Sequence, residues 1–283
     1  MTNARVTVGL LHPGEMGVTV GASAVSGGAR VLWASEGRGA ATRSRAAEAG
    51  LEDAGSLAAV VRASRVILSV VPPHGALALA RTIAGLGFRG LYVDGNAVAP
   101  ETSREIGRLV EAAGARFVDG GIIGPAARKR GTTRMYLSGP AAPEVAVLFG
   151  AGPIDGVVLD APAGAASALK MAYAGWTKGS SALLAAVRAF AMAEGVDSAL
   201  LAEWKISQPD IPARSERAFS DNARKAWRFV GEMEEIARSL AGAGLPAGFH
   251  EAAREIYERL SEYKDTKAPP TVEEAARKLR RLA

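Results

Sequence analysis

The chain has 283 residues, of which 48% are hydrophobic and 22% charged, with a net charge of +5. That length suits two domains, each with its own core, and the composition is ordinary for a globular protein. The absence of cysteine excludes disulfides, thiolate catalysis and thiolate metal sites, and three scattered histidines (His12, His74, His250) with no HExxH pair give no basis for a metal centre. The basic residues form no continuous stripe and are not interleaved with aromatics, so nucleic acid is not an expected partner. No signal-like segment opens the chain and no apolar run reaches the ~18 residues of a membrane span. The expectation is a cytoplasmic protein acting on a small molecule, without a membrane partner.

In chain order, Arg5–Leu11 (RVTVGLL) reads as a short buried strand ending at the turn His12-Pro13-Gly14. A helix from Met16 to about Ser26 and a strand Ala29–Trp33 follow. The alternation continues with a helix near Ala41–Ala49, a strand Arg65–Val71, a helix Ala76–Gly85 and a strand Gly90–Asp94. Next come a helix after Pro100, strands Ala115–Val118 and Met135–Leu137, a helix Glu144–Phe149 and a strand Val157–Leu159. Strands separated by helices of that length predict right-handed crossovers and a mostly parallel sheet. From Ala163 the pattern is helical to the end, broken at Gly195, Pro209–Pro212, Gly242–Pro246 and Pro269–Pro270. The sequence therefore predicts an α/β Rossmann domain over residues 1–161 and an all-α domain over residues 162–283.

The segment Gly9-Leu10-Leu11-His12-Pro13-Gly14-Glu15-Met16-Gly17 lies between the first strand and the first helix, where a dinucleotide fingerprint belongs. Gly14 and Gly17 supply close backbone approach and helix packing, while His12 stands where the first glycine of the fingerprint is usual, held extended by Pro13. The second strand runs into Ser35-Glu36-Gly37-Arg38, followed by Arg43. Ser35, Arg38 and Arg43 suit the 2′-phosphate of NADP; Glu36 would instead suit a ribose 2′-hydroxyl, and two arginines against one carboxylate favour NADP. On the apolar helix opening at Gly164, Lys170, Tyr173, Thr177 and Ser181 recur at helical spacing and predict a polar stripe lining a cleft. A lysine on such a helix is costly without a partner or a task, and its readily lowered pKa suits proton transfer.

These motifs, in this order, resemble the β-hydroxyacid dehydrogenase superfamily, which includes 6-phosphogluconate and 3-hydroxyisobutyrate dehydrogenases. Gly9–Gly17 resembles its G-x-x-G-x-G-x-M-G turn, Val70-Val71-Pro72 its loop flanking the nicotinamide, and Val93-Asp94-Gly95-Asn96 its VD-x-(S/N) segment. Asp119-Gly120-Gly121-Ile122-Ile123-Gly124-Pro125 is similar to the substrate motif, and Gly164 to Lys170 to the helix whose lysine carries the proton chemistry. The segments Ser35–Arg38, Lys170–Ser180 and Trp227–Ile236 are closer still to a branch that joins a 6-phosphogluconate-dehydrogenase-like half to an uncharacterised C-terminal domain.

The resemblance implies cofactor contacts from His12, Pro13, Gly14, Glu15, Met16, Ser35, Glu36, Arg38, Arg43, Val70, Val71, Pro72 and Asn96. It implies substrate contacts from Ile123, Gly124 and Thr177. It departs from the family where Ile123 replaces a carboxylate-binding serine, Tyr173 an asparagine and Thr177 the glutamate acid of 6-phosphogluconate dehydrogenase. The function this implies is NADP-dependent hydride transfer with a small, hydroxyacid-like hydroxy or carbonyl substrate, Lys170 as general acid/base and Tyr173 assisting. An imine or enamine reductase and a non-catalytic NADP-binding protein are the alternatives. Family likeness and the apolar residues Trp176, Leu183, Leu184, Val187 and Phe190 imply a homodimer through the C-terminal helices.

Overall fold

A computed structural model of the protein describes residues 5–280. The chain divides into two compact units, Met1–Met171 and Ala172–Ala283. The first is built on eight strands: β1 (Thr7–Leu10), β2 (Arg30–Trp33), β3 (Glu52–Asp53), β4 (Val66–Ser69), β5 (Leu91–Asp94), β6 (Arg116–Ile123), β7 (Thr133–Ser138) and β8 (Ile154–Val158). They form one sheet in the order β3-β2-β1-β4-β5-β6-β7-β8, parallel except for the β6–β7 pair. The connecting helices are α1 (Glu15–Ser26), α2 (Ala40–Glu48), α3 (Leu57–Ala63), α4 (Pro73–Gly85), α5 (Pro100–Ala112) and the short α6 (Ala142–Ala146).

The short apolar strands are buried on both faces, so successive residues feed two cores. Leu68, Val93 and Val118 pack with Val20, Val145 and Phe149 on one side. Their neighbours Ile67, Tyr92 and Phe117 pack with Ile83, Ile106 and Val110 on the other. The order around β1 reverses between β2 and β4, which creates a topological switch point at the carboxyl ends of those strands.

Two elements went unread in the sequence. β3 is two polar, exposed residues and carries no hydrophobic period. α3 is capped by Ser56, whose hydroxyl accepts the Ala59 amide at 3.3 Å, ahead of a seven-residue helix that is apolar except for Arg62. β6 runs five residues beyond the expected Val118, through Asp119-Gly120-Gly121-Ile122-Ile123. Glycine weakens a strand in general, but here a Cβ on Gly121 would lie 2.4 Å from the Ala166 carbonyl oxygen. The glycine is the condition for the helix to lie there.

That helix is α7 (Ala165–Ala193), whose first turns belong to the first unit. The second unit holds the remainder of α7 with α8 (Asp197–Ser207), α9 (Ile211–Phe219), α10 (Ala226–Gly242), α11 (Gly248–Leu260) and α12 (Val272–Arg280). Gly175 and Gly179 thin the α7 surface where α11 packs: a Cβ on Gly179 would sit 3.0 Å from the His250 Nε2. Around them the Tyr257 hydroxyl donates to the Lys178 carbonyl at 2.7 Å, and Lys178 pairs with Glu232 of α10. The buried Arg188 grips Asp197 with two hydrogen bonds of 3.0 and 2.9 Å and reaches the Ser215 hydroxyl. Among the described residues no helix is long and apolar enough to cross a membrane.

Candidate functional site

The β1–α1 turn is shaped by close contacts. A Cβ on Gly17 would stand 2.0 Å from the His12 carbonyl oxygen, so only glycine lets α1 start so near the turn. The N-cap of α1 is Gly14, which has no side chain to cap the helix, so the positive end of the helix dipole lies at this turn. The His12 ring is half-buried beside Gly14, and its buried Nδ1 has no hydrogen-bond partner among the described residues. Burial first, then the charges of Arg38 and Arg45, push the imidazole below its ordinary pKa. Arg45, from α2, donates to the Thr42 hydroxyl at 3.1 Å, and its buried Nε has no hydrogen-bond partner among the described residues. A tight glycine turn at a helix N-terminus and the nearby Arg45 guanidinium fit a dinucleotide's phosphates.

At the end of β2 the buried Ser35 gives its amide to Asp53 at 3.2 Å. A hydrogen bond from the Ser35 side chain, joined by the Gly55 amide, holds the Asp53 carboxyl below its usual range. Arg43 donates to the Ser35 and Arg38 carbonyls at 3.1 and 3.2 Å, so its guanidinium braces the loop. Glu36 and Arg38 are exposed on that loop. Asp53 and Arg45 were not singled out in the sequence; Asp53 sits in a strand too short to read, and Arg45 looked like any exposed helix residue.

Beyond β4, Val70 and Val71 are partly buried and Pro72 is exposed at the start of α4. The Val71 amide donates to the Asn96 Oδ1 at 2.6 Å. The Asn96 amide nitrogen donates to the Ser69 hydroxyl at 3.1 Å and also to Asp94. The Asn96 side chain is thus committed to its own chain, and it reaches the loop after β4 through Val71.

Ser69, Asp94, Asp119 and Ser138 occupy one register across β4, β5, β6 and β7, and all are fully buried. Asp119 Oδ1 accepts the Ser103 hydroxyl at 2.7 Å and the Ser167 hydroxyl at 2.5 Å. Its Oδ2 accepts the Ser138 hydroxyl and the amides of Gly164 and Ser167 at 2.9, 2.9 and 3.0 Å. The Ser138 hydroxyl in turn accepts the Ala166 amide at 3.0 Å. The opening amides of α7 are therefore capped from the sheet, with a carboxylate at the positive end of the helix.

One turn along is Lys170, partly buried, whose Cβ would be 3.1 Å from a Cβ on Gly121. Gly121 lies two residues past the Asp119 register, on the carboxyl edge of the sheet. At that edge Ile123 is buried and Gly124 takes φ +127, where a Cβ would strike the Thr132 carbonyl at 2.4 Å. In the second unit Tyr173 is 48% exposed, and Thr177 returns its hydroxyl to the Tyr173 carbonyl at 3.0 Å. Of the basic loop after β6, Arg130 donates to the Gly152 and Gly150 carbonyls. Among the described residues no group of three or more acidic or histidine side chains could hold a metal ion.

Residues 7–146 match the NAD binding domain of 6-phosphogluconate dehydrogenase, and residues 191–260 match a domain of unknown function, DUF1932. An uncharacterised 28.5 kDa protein of Methanothermus fervidus is 33% identical over 168 residues; the alignment spans 59% of this chain and 63% of that relative's length. A conserved protein of unknown function, described as structurally similar to 3-hydroxyacid dehydrogenases, is 30% identical with a TM-score of 0.69, over 91% of this chain and 98% of that one. The 3-hydroxyisobutyrate dehydrogenase of Mycobacterium tuberculosis shares the fold at TM-score 0.70 and 19% identity, over 98% of this chain and all of its own. A reductive aminase of Aspergillus terreus shares it at 0.56 and 18%, over 99% of this chain and all of its own.

Proposed function

The chain belongs to the β-hydroxyacid dehydrogenase superfamily, in the branch that joins a 6-phosphogluconate-dehydrogenase-like NAD(P)-binding domain to a C-terminal domain of unknown function, and from that premise we propose an NADP-dependent oxidoreductase of small hydroxy or carbonyl substrates. The observation that carries this reading is the Asp119 cap on α7. It fixes Lys170 against Gly121, on the carboxyl edge of the sheet that bears the His12–Gly17 turn.

Bound NADP(H) supplies hydride acceptance or donation. Gly14, Glu15 and Met16 offer the α1 amides to the pyrophosphate, with His12 and Pro13 shaping the turn. Arg38, with Arg43 bracing its loop, would hold the 2′-phosphate beside Ser35, and Glu36 would stay in solvent. Val70, Val71 and Pro72, tied down by Asn96, form the wall of the nicotinamide end. Lys170 takes the substrate hydroxyl proton in oxidation and returns it in reduction, while Tyr173 shares the substrate hydrogen bond. Ile123, Gly124 and Thr177 bound the substrate, and an apolar Ile123 in place of a serine favours one without a carboxylate at that point. Residues 1–161 then serve the cofactor, and residues 162–283 the substrate and a homodimer. What supports the dimer is the face of α7 with Trp176, Leu183 and Phe190 spaced by seven and 49–69% exposed.

The test is titration with NADPH and, separately, NADH, followed by reduced-nicotinamide fluorescence, and then a substrate screen with Lys170→Ala as control. Micromolar NADPH binding with much weaker NADH binding is the expected result. Preference for NADH would transfer the ribose to Glu36 and overturn the cofactor assignment.

A further inference from the structure

The antiparallel pairing of β6 with β7 sets Asp119 opposite Ser138, Gly121 opposite Tyr136, and Ile123 opposite Arg134. Residues two apart on a strand, and residues directly opposite, share one face of the sheet. The first pair caps α7. The second meets Lys170, whose Cβ would be 3.1 Å from a Cβ on Gly121. Arg134 is the diagonal neighbour of Gly121 on that face, a separation of about 7–8 Å between Cβ atoms that long side chains span. All of these residues belong to the first unit.

Arg134 stands apart from the cations around it. Arg130 is spent on the Gly150 and Gly152 carbonyls, and Arg128 and Lys129 are exposed in the loop. Arg134 is partly buried, and among the described residues its guanidinium has no hydrogen bond or ion pair. Asp155, beside it in register on β8, does not pair with it. A guanidinium drawn out of water without a partner is costly unless a ligand supplies one. Its position is also fixed. The Thr133 hydroxyl donates to the Pro125 carbonyl at 2.6 Å and the Thr132 hydroxyl to the Lys129 carbonyl at 2.8 Å, which pins the start of β7.

We propose that Arg134 is a specificity-determining residue, which binds an anionic oxygen group of the substrate from β7, on the face of the sheet that carries Lys170. That the molecule bound is a substrate, reacting at Lys170, rests on the function proposed above; the anion site itself does not. A guanidinium grips a carboxylate or a phosphate through two parallel hydrogen bonds, so it sets orientation as well as charge. Ile123 offers no hydrogen bond of its own, and the cation opposite it supplies the recognition one strand over. An apolar neighbour also strengthens such a pair by keeping water away. A neutral ketone, alcohol or imine would leave Arg134 unpaired, and is discriminated against for that reason.

The test reads the side chain first. In the full chain the arginine Nε–H signals are followed by NMR, and the Arg134 signal is the one missing from Arg134→Lys. It should shift saturably with malonate or with inorganic phosphate, and the tighter of the two names the anionic group. Reduction by NADPH is then measured on paired probes: glyoxylate with its methyl ester, and glycolaldehyde phosphate with glycolaldehyde. The wild type should prefer the anionic member of a pair. In Arg134→Met its KM should rise about ten- to a hundredfold with a much smaller change in kcat, and the preference should collapse. Arg134→Lys should recover part of the preference, because it keeps the charge and loses the fork, a rescue that a merely structural arginine would not show. An Arg134 signal indifferent to both anions, or a preference that survives Arg134→Met, overturns the proposal. A saturable signal with no nicotinamide nucleotide bound overturns the cofactor reading and leaves the anion site on β7 standing.

Discussion

The hydroxyl and the amide of Ser167 both end on the Asp119 carboxylate, at 2.5 and 3.0 Å, across 48 residues of sequence. This clamp sets where α7 begins, and Lys170 follows one turn later. Asp119→Asn replaces one anionic oxygen by an NH2 that must face donors, whichever way the amide turns. Breaking a saturated buried carboxylate network of this kind costs about 3–5 kcal/mol. The urea midpoint of Asp119→Asn should fall accordingly, whereas Ser167→Ala, which removes one donor only, should cost about 1 kcal/mol.

Lys170 separates proton chemistry from binding. In Lys170→Ala, kcat for whichever substrate the screen yields should fall about 10²–10⁴-fold, with the NADPH dissociation constant unchanged. Lys170→Arg should not restore the rate, because a guanidinium does not release its proton near neutral pH. A variant retaining full kcat would remove Lys170 from the mechanism.

The two arginines after β2 should give different phenotypes despite their similar sequence context. Arg38 is exposed, and among the described residues its guanidinium has no hydrogen bond to the backbone, so Arg38→Met should raise the NADPH dissociation constant about tenfold or more and spare NADH. Arg43 holds the Ser35 and Arg38 carbonyls, so Arg43→Met should disturb the whole loop and weaken both nucleotides. Equal effects of Arg38→Met on the two nucleotides would remove it from the 2′-phosphate.

The alternation of Val-, Ile- and Leu-rich runs with helical ones was enough to read the Rossmann half and the helical half, because buried parallel strands announce themselves by local composition. β3 escaped because two polar residues have no period. The extension of β6 escaped because its glycines argue against a strand until α7 is known to need the space. At the candidate site the residue types were visible and their pairings were not. Asn96 looked available for a ligand, yet its amide is used by Val71, Ser69 and Asp94, up to 27 residues away. The Ser69–Asp94–Asp119–Ser138 row is a consequence of strand register, which no local spacing encodes. An aspartate in each of two otherwise apolar strands was the one signal that pointed to it.

Assembly can be checked independently of catalysis. If the exposed apolar face of α7 joins two copies, Leu183→Glu combined with Phe190→Glu should convert a dimer to a monomer in sedimentation equilibrium. A charge in the centre of an apolar seam is left desolvated by association and unpaired. A wild-type monomer at micromolar concentration would sink the dimer.

Stability should carry the mark of Asp94. Burial first, and then the Asp119 charge, push its carboxyl up to about 8 in the folded chain, against about 3.9 when unfolded. Between those values the folded state holds a proton that the unfolded state has released, so stability falls as pH rises. The contribution is fully present below about pH 4 and lost by the time pH passes 8, with a slope of up to about 1.4 kcal/mol per pH unit. Other groups add their own slopes, so the comparison that isolates Asp94 is with Asp94→Asn, which keeps a neutral side chain of the same shape. Urea midpoints at pH 5, 6.5 and 8 should decline more steeply in the wild type than in the variant, with Asp94→Asn the more stable of the two at pH 8. Parallel declines would mean that Asp94 is ionised in the folded protein throughout this range, and that Asp119 tolerates a charged neighbour.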